Sequence, residues 1–259
     1  MISTIRNALR MASTELDIIS NNVANAGSTG FKRSDGNFLH FYNESTPMKG
    51  MNVGFGVVHE EPRRSDSKQG ALKPTNNSLD LAVSGVGMFM TVGAGEELVT
   101  YTRDGSFSLD TAGRLITTDN RFVLDSEGRN IVIPSRIADG QGGSSLMETI
   151  QIADDGVINV TYGSGQIAQA GRIGLARFVN IAGLMPVGGG QFRATEKSGF
   201  PVIGGPADES FGGVIQGHLE AANVNMTDEL TKLMRAQQAY SGSSRLLQSA
   251  VEMSKRLSQ

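Results

Sequence analysis

The chain contains no cysteine and no tryptophan, and its only histidines are His40, His59 and His218. Absence of cysteine excludes disulfides, thiolate nucleophiles and every cysteine-ligated metal site. So few histidines leave little material for zinc binding or for acid–base chemistry near neutral pH. No stretch approaches the roughly 20 continuous apolar residues of a membrane-spanning helix. The N-terminus does not read as a cleavable secretory signal, because Arg6, Arg10, Glu15 and Asp17 interrupt the apolar region such a signal needs. Neither sign of charge prevails: 23 basic against 26 acidic residues give a net −3, which argues against broad electrostatic binding to nucleic acid.

Glycine, by contrast, is abundant, at 33 of 259 residues, nearly twice the roughly 7% of ordinary usage. Many tight turns follow, since glycine takes positive φ without steric cost. With 39% apolar and 19% charged residues the chain can bury a core. Its length suits one large domain or two modest ones, at about 100–200 residues each.

The two ends carry helical patterns. Ile2, Ile5, Leu9, Ala12, Leu16, Ile19, Val23 and Ala26 step alternately by three and four, an unbroken apolar seam over more than three heptads. Gly27 follows as the expected helix stop, and a helix over Ile2–Ala26 would be about 37 Å long. An amphipathic helix packed on its own domain and a seam for another helix are both compatible with this stripe. At the other end Met226, Leu230, Leu233, Tyr240, Leu247 and Val251 fit the same spacing, with Gln237 and Ser244 as polar seam positions that set register or mark a wet partner surface. Asn225 or Thr227 is the expected N-cap. Asp228 and Glu229 in the first turn, and Lys255 and Arg256 in the last, suit the helix dipole. A helix from Met226 to Leu257 would be about 48 Å long. Neither helix can bury its stripe alone, so each must pair with the other, with the middle, or with further copies.

Between them the pattern changes to short apolar runs and period-two alternation. Met88–Val92 and Leu98–Thr102 bracket a glycine-containing turn and predict a hairpin; Met88, Phe89 and Met90 are expected in the strand core. Asp110 to Arg114 and Asp125 to Arg129 share the pattern Asp-x-x-Gly-Arg, in which the aspartate starts a turn and the glycine takes the left-handed position. Asp154-Asp155-Gly156 is a third turn of this kind. Residues 32–74 hold three prolines and no strong element, only an alternation at Val53, Phe55, Val57 and His59, and predict an extended arm. Lys32-Arg33 and Arg63-Arg64 read as solvated surface.

The expected fold class is therefore α+β: long N- and C-terminal helices paired as a coiled-coil-like unit, a central antiparallel all-β domain, and a connecting arm. The boundaries read as 1–33 plus 222–259 for the helices, 34–74 for the arm and 75–221 for the β domain.

Enzymatic motifs fail on context. Gly163-Ser164-Gly165-Gln166-Ile167-Ala168 fits G-x-G-x-x-A, but no helical pattern follows and no acidic residue stands about twenty positions on. No nucleophile elbow is present. Asp154 and Asp155 lack the remaining ligands of a calcium loop. No catalytic residue, cofactor or metal site is expected.

Four segments resemble the axial (rod and hook) proteins of the bacterial flagellum. They are Ser20–Arg33 (SNNVANAGSTGFKR), Leu79–Phe89 (LDLAVSGVGMF), Tyr101–Phe107 (YTRDGSF), and Leu219–Asn225 (LEAANVN) with Gln237–Tyr240 (QQAY). Met88, Ala222 and Gln238 depart from the residues usual there. Within the motifs, Asn22, Asn25, Gly30, Phe31, Lys32, Arg33, Asn223 and Val224 are the positions carried over as family residues. The resemblance implies a structural subunit, not an enzyme, that self-assembles into a helical tube transmitting torque and enclosing an export channel. It implies export through the flagellar type III apparatus without a cleaved signal, and a place in the basal-body rod across the periplasm. Implied partners are copies of the chain, neighbouring rod proteins, hook or distal-rod subunits and surrounding ring proteins, with no nucleic acid and no membrane insertion. Terminal helices would form the inner tube, making the two apolar stripes the subunit-assembly seam. A proximal-rod member comes first, ahead of a distal-rod and a short hook-like one. Two readings of other classes stand beside it: a peptidoglycan hydrolase using Asp154 and Asp155, and a β-domain adaptor that does not polymerise.

Overall fold

The computed structural model describes residues 2–35, 38–40, 57–59, 63–64, 68–96, 98–139, 143–163 and 165–257. Helix α1 spans Ile2–Ala24 and helix α2 spans Met226–Leu257. The chain divides into two compact units: Met1–Ala26, Lys32–Ser65 and Val224–Gln259 form one, and Gly27–Phe31 with Asp66–Asn223 form the other. It passes between them after Ala26, Phe31, Ser65 and Asn223.

The first unit holds α1, α2 and two small antiparallel ladders, Ser34–Asp35 with Arg63–Arg64 and Phe38–His40 with Val57–His59. The segment expected as an arm thus contributes paired strands as far as it is described; Val53 and Phe55 lie outside the described residues. α1 ends two residues earlier than the seam suggested: Asn25 still makes the helical bond to the Asn21 carbonyl (3.1 Å), doubled by its side-chain amide (2.8 Å), but Ala26 already tightens to a bond three residues back, on Val23 (3.3 Å). Gly27 does not take the left-handed conformation; Gly30 does, at φ 65°. α2 is capped by Asn225, whose side-chain oxygen accepts the Thr227 N–H at 3.1 Å.

The second unit is built almost wholly of antiparallel strands. A nine-stranded sheet runs in the spatial order Met185–Gly188, Gln191–Arg193, Val99–Thr102, Met88–Val92, Phe122–Val123, Leu115–Thr117 and Phe107–Leu109. Leu175–Arg177 joins it beside Met88–Val92 and carries Val202–Gly204 on its other side. Arg136–Asp139, Gly143–Ile152, Val157–Tyr162 and Ile167–Arg172 make a four-stranded sheet. Two-stranded ladders join Leu81–Ser84 to Gly213–Gln216 and Leu72–Pro74 to His218–Glu220. The predicted hairpin is the pair Met88–Val92 and Val99–Thr102, with Gly95 at φ 76° in its turn.

Met88–Val92 shows why a continuous apolar run is needed at the centre of a sheet covered on both faces. Phe89 points into one cluster with Leu81, Phe107, Leu115, Ile158 and Leu175, whereas Met88 and Met90 enter a second with Tyr101, Phe178 and Phe192. Edge-to-face contacts fix each cluster: Phe89 on Phe107 at 5.0 Å, and Tyr101 on Phe178 at 4.7 Å. Val157–Tyr162 instead alternates between half-buried and buried side chains, as a half-covered strand should.

The Asp-x-x-Gly-Arg turns take the expected form. Gly113 and Gly128 stand at φ 76° and 79°. Asp110 accepts the N–H groups of Ala112 and Arg114, both at 2.8 Å, and the Arg114 guanidinium returns to its other oxygen. Asp125 does the same with Glu127 and Arg129. Both carboxyls lie below the usual carboxylate range. For Asp110 the Arg114 N–H is the leading cause. At Asp125 burial opposes the shift and is outweighed by the bonds from Arg129 and Glu127. The Gly163–Gln166 segment is likewise a hairpin turn, with Gly165 at φ 73°, joining Val157–Tyr162 to Ile167–Arg172.

Candidate functional site

Among the described residues each unit contains a buried polar knot at which family-motif residues gather. In the helical unit the knot centres on Glu229, whose side chain is 1% exposed. Glu229 sits in the first turn of α2, where the sequence suggested an anion favoured by the helix dipole. Burial is tolerated because partners surround it: Lys232 Nζ at 2.9 Å, the Asn22 amide at 3.1 Å and the Arg33 guanidinium at 3.6 Å. Asn22 also closes two bonds with the Ser34 backbone, donating to its carbonyl and accepting its N–H, both at 2.9 Å. One amide therefore ties the end of α1 to the first extended residues beyond the Gly-Phe-Lys-Arg motif and to the start of α2. Lys32 is buried and Arg33 pairs with Asp35 at 2.6 Å, so this basic pair is not the solvated surface that its sequence suggested. The side chains of Arg63 and Arg64 lie outside the described residues. Beside the knot a cavity of about 210 Å³ is lined by Glu15, Ile18, Ile19, Asn22, Asp35 and Lys232, among others.

In the β unit the knot centres on Arg103 and Glu220, which form an ion pair at 3.1 Å with Glu220 1% exposed. Arg103 also donates to the carbonyls of Gly85 (2.6 Å) and Val83 (3.3 Å). The second Glu220 oxygen accepts the Gly70 N–H at 2.9 Å. The Glu220 carbonyl accepts the Gly30 N–H at 2.7 Å, and Thr29 donates to Asp104 at 2.7 Å. Gly30 is obligatory twice over: its φ is positive, and a Cβ there would collide with the Arg103–Asp104 backbone. Asn223 closes the arrangement, its N–H reaching the Phe31 carbonyl at 3.3 Å and its side chain the Lys68 carbonyl at 3.1 Å. Phe31 itself is buried.

Residues of all four motif segments thus converge in the β unit, and the first segment also supplies Asn22 and Arg33 to the helical knot. The sequence marked Asn22, Gly30, Phe31, Lys32, Arg33 and Asn223 as a group. It missed Arg103, Glu220, Glu229 and Lys232, whose only signal was a charge set inside an otherwise apolar or motif segment. Asn25 acts locally at the end of α1, and Val224 is half-buried.

The stripe residues are placed as follows. On α1, Ile5, Leu9, Leu16 and Val23 are half-buried, as is Ala26 in the turn just beyond it, and Ala12 and Ile19 are buried; the side chain of Ile2 lies outside the described residues. On α2, Leu233 and Leu247 are half-buried, whereas Met226, Leu230, Tyr240 and Val251 are exposed. The most buried face of α2 lies beside that stripe, at Glu229 and Ala236. Gln237 is exposed and Ser244 half-buried.

Asp154 and Asp155 serve a turn: the Asp154 carbonyl accepts the Val214 N–H, and the Asp155 carboxylate accepts that of Val157. Among the described residues no group of three His, Asp or Glu is placed to hold a metal, and no helix is long and apolar enough to cross a membrane.

Three family profiles match the chain. "Flagella basal body rod protein" covers residues 2–32, "Flagellar hook protein FlgE/F/G D1 domain" residues 82–160, and "Flagellar basal body rod FlgEFG protein C-terminal" residues 215–259. The flagellar basal-body rod protein FlgG of Agrobacterium fabrum is 34% identical over 254 residues, spanning 93% of this chain and 91% of the relative. FlgG of Bacillus subtilis is 30% identical over 255 residues, spanning 93% and 90%. The rod protein FlgF of Caulobacter vibrioides is 31% identical over 243 residues, spanning 93% and 89%. All three carry the name of a rod protein and none that of an enzyme. With relatives at 30–34% identity over nine-tenths of its length, the chain is a member of the flagellar basal-body rod protein family.

Proposed function

We propose that the chain is a rod subunit that assembles with copies of itself and with neighbouring axial proteins through its two terminal helices. The observation that carries this is the exposed apolar stripe on α2, together with an α1 whose stripe is buried only at Ala12 and Ile19 and elsewhere half-buried, in a chain whose relatives are rod proteins. A monomer would leave Met226, Leu230, Tyr240 and Val251 in water, whereas a tube of packed helices would bury them. In this arrangement α1 and α2 pair as a coiled-coil-like unit lining an export channel, the β unit lies outside it, and torque passes through the helix packing. The same family membership supports export through the flagellar type III apparatus, without a cleaved signal, to a rod spanning the periplasm.

Within the rod we place the chain proximally, as an FlgF-type subunit, on its short segment between the Gly-Phe-Lys-Arg motif and Val53. An FlgG-type distal position is the second reading, with an FlgG relative at 34% identity. In Caulobacter vibrioides, FlgG is 30% identical to this chain and FlgF 31%, so identity does not separate the two.

Leu16→Asp tests the assembly mechanism. It sets an unpaired charge in the α1 seam at a cost of several kcal/mol. The variant should be lost from isolated basal bodies and its cells should be non-motile. Normal incorporation would refute a role for this seam.

A further inference from the structure

With no cysteine in the chain, its only sulfur is the thioether of methionine, present at eleven positions. Exposure divides them sharply. Met88 and Met90 are buried in the β unit, at 5% and 1%, and Met11 and Met147 are half-buried. Among the described residues four are exposed. Met185 stands on an edge strand of the β unit, and Met226, Met234 and Met253, at 45%, 57% and 58%, stand on α2. Residues four apart on a helix lie on one row, so Met226, Leu230 and Met234 form a single ridge along the first turns of α2. Leu230 is exposed between the two sulfurs. The ridge lies beside the face that α2 buries at Glu229 and Ala236, and the N-cap bond between Asn225 and Thr227 involves neither methionine. Oxidation of the ridge therefore changes the surface of α2 and not its packing.

We propose that Met226 and Met234 form a reversible oxidation switch on α2. Hydrogen peroxide gives one oxygen to each thioether: its O–O bond breaks, an S–O bond forms, and the other oxygen leaves as water. The sulfur is oxidised by two electrons and the peroxide is reduced. A thioether ridge is apolar and fit to be buried, whereas a sulfoxide is polar and costly to bury without a hydrogen-bond partner. Methionine sulfoxide reductases return the thioether. The effect on assembly rests on the reading of the α2 stripe as a face buried in a rod; the selectivity of oxidation rests on exposure alone. Unassembled chains are the target, because a packed tube would shield the ridge. Met253 lies about seven and a half turns beyond Met226, on the opposite side of the helix, and supplies an exposed methionine off the ridge.

The purified full-length chain is treated with hydrogen peroxide, and sulfoxide at each methionine is followed by peptide mass spectrometry. Met226 and Met234 should oxidise about tenfold faster than Met88 and Met90, with helix content unchanged by circular dichroism and the thioethers restored by sulfoxide reductase. Equal rates, or loss of helix on oxidation, would refute the switch. In cells lacking the native copy, Met226→Gln/Met234→Gln, whose amides stand in for the sulfoxides, should lower incorporation into basal bodies about tenfold. Met226→Leu/Met234→Leu should incorporate normally, and should keep doing so in cells exposed to peroxide, where incorporation of the natural chain falls. Met253→Gln should incorporate normally. Normal incorporation of the Gln pair, an equal loss in Met253→Gln, or no protection by the Leu pair would overturn the proposal. Absence of the natural chain from untreated basal bodies would instead refute the rod assignment and the role in assembly with it, while the selectivity measured on the purified chain would stand.

Discussion

Removing Arg103 offers a quantitative test of the β-unit knot. Its guanidinium and the Glu220 carboxylate are both more than nine-tenths buried, so solvent screens their interaction little. Arg103→Ala would leave Glu220 with the Gly70 N–H but without its paired cation, and would strip two carbonyls, at Val83 and Gly85, of a donor. Breaking one side of a buried pair costs about 3–5 kcal/mol, mostly the penalty of an uncompensated buried charge. Urea unfolding followed by circular dichroism and tyrosine fluorescence measures this; there is no tryptophan. Because the chain has two units, the transition of the β unit should move to lower urea while that of the helical unit keeps its midpoint. Replacing both partners, Arg103→Met with Glu220→Leu, should recover most of the loss, since apolar pairs of similar volume often match a buried ion pair. A loss below about 1 kcal/mol for Arg103→Ala would refute the account of the knot.

Asn22→Ala leaves the Ser34 N–H and one Glu229 oxygen short of a partner, and should cost the helical unit about 1–3 kcal/mol, read as faster hydrogen exchange in α1 and α2. Gly30→Ala meets both a positive φ and the Arg103–Asp104 backbone, and should destabilise the β unit by more than about 1 kcal/mol in the same urea experiment. Acid should weaken the β unit in a defined window. Asp110, Asp125 and Asp208 all lie below the usual carboxylate range, Asp208 chiefly through the Arg172 guanidinium. Depressed carboxyls contribute stability above their unfolded value, and lose it as pH falls through the folded one. Melting temperature should therefore hold down to about pH 4 and drop below it, with a shallower drop in Asp110→Asn.

Local rules reach far into this fold. Asp110–Arg114 and Asp125–Arg129 were legible as turns because Asp and Gly each have one conformational use there, and the turn closes within five residues. Met88–Met90 was legible as core because its apolar run matched a strand covered on both faces. The knots were not legible. Glu220 and Arg103 are 117 residues apart, and Asn22 and Glu229 are 207 apart. No local pattern tells a buried, paired carboxylate from a solvated one, which is why Glu229 read as a first-turn anion. Similarly, the α2 spacing gave a valid apolar stripe but not the face that packs inside its own chain. That face uses Glu229 and Ala236, and leaves Met226 and Leu230 exposed. The helix stop was misplaced for a smaller reason, since the chain tightens at Ala26, which bonds the Val23 carbonyl, before Gly27 is reached.

The central claim, a rod subunit held by its terminal helices, is tested most directly by position. Electron microscopy of isolated basal bodies bearing a label in an exposed turn of the β unit, such as Gly128, should place it on the rod, with the helices of the same chain innermost. Label absent from the axial structure, or helices facing outward from it, would contradict the account.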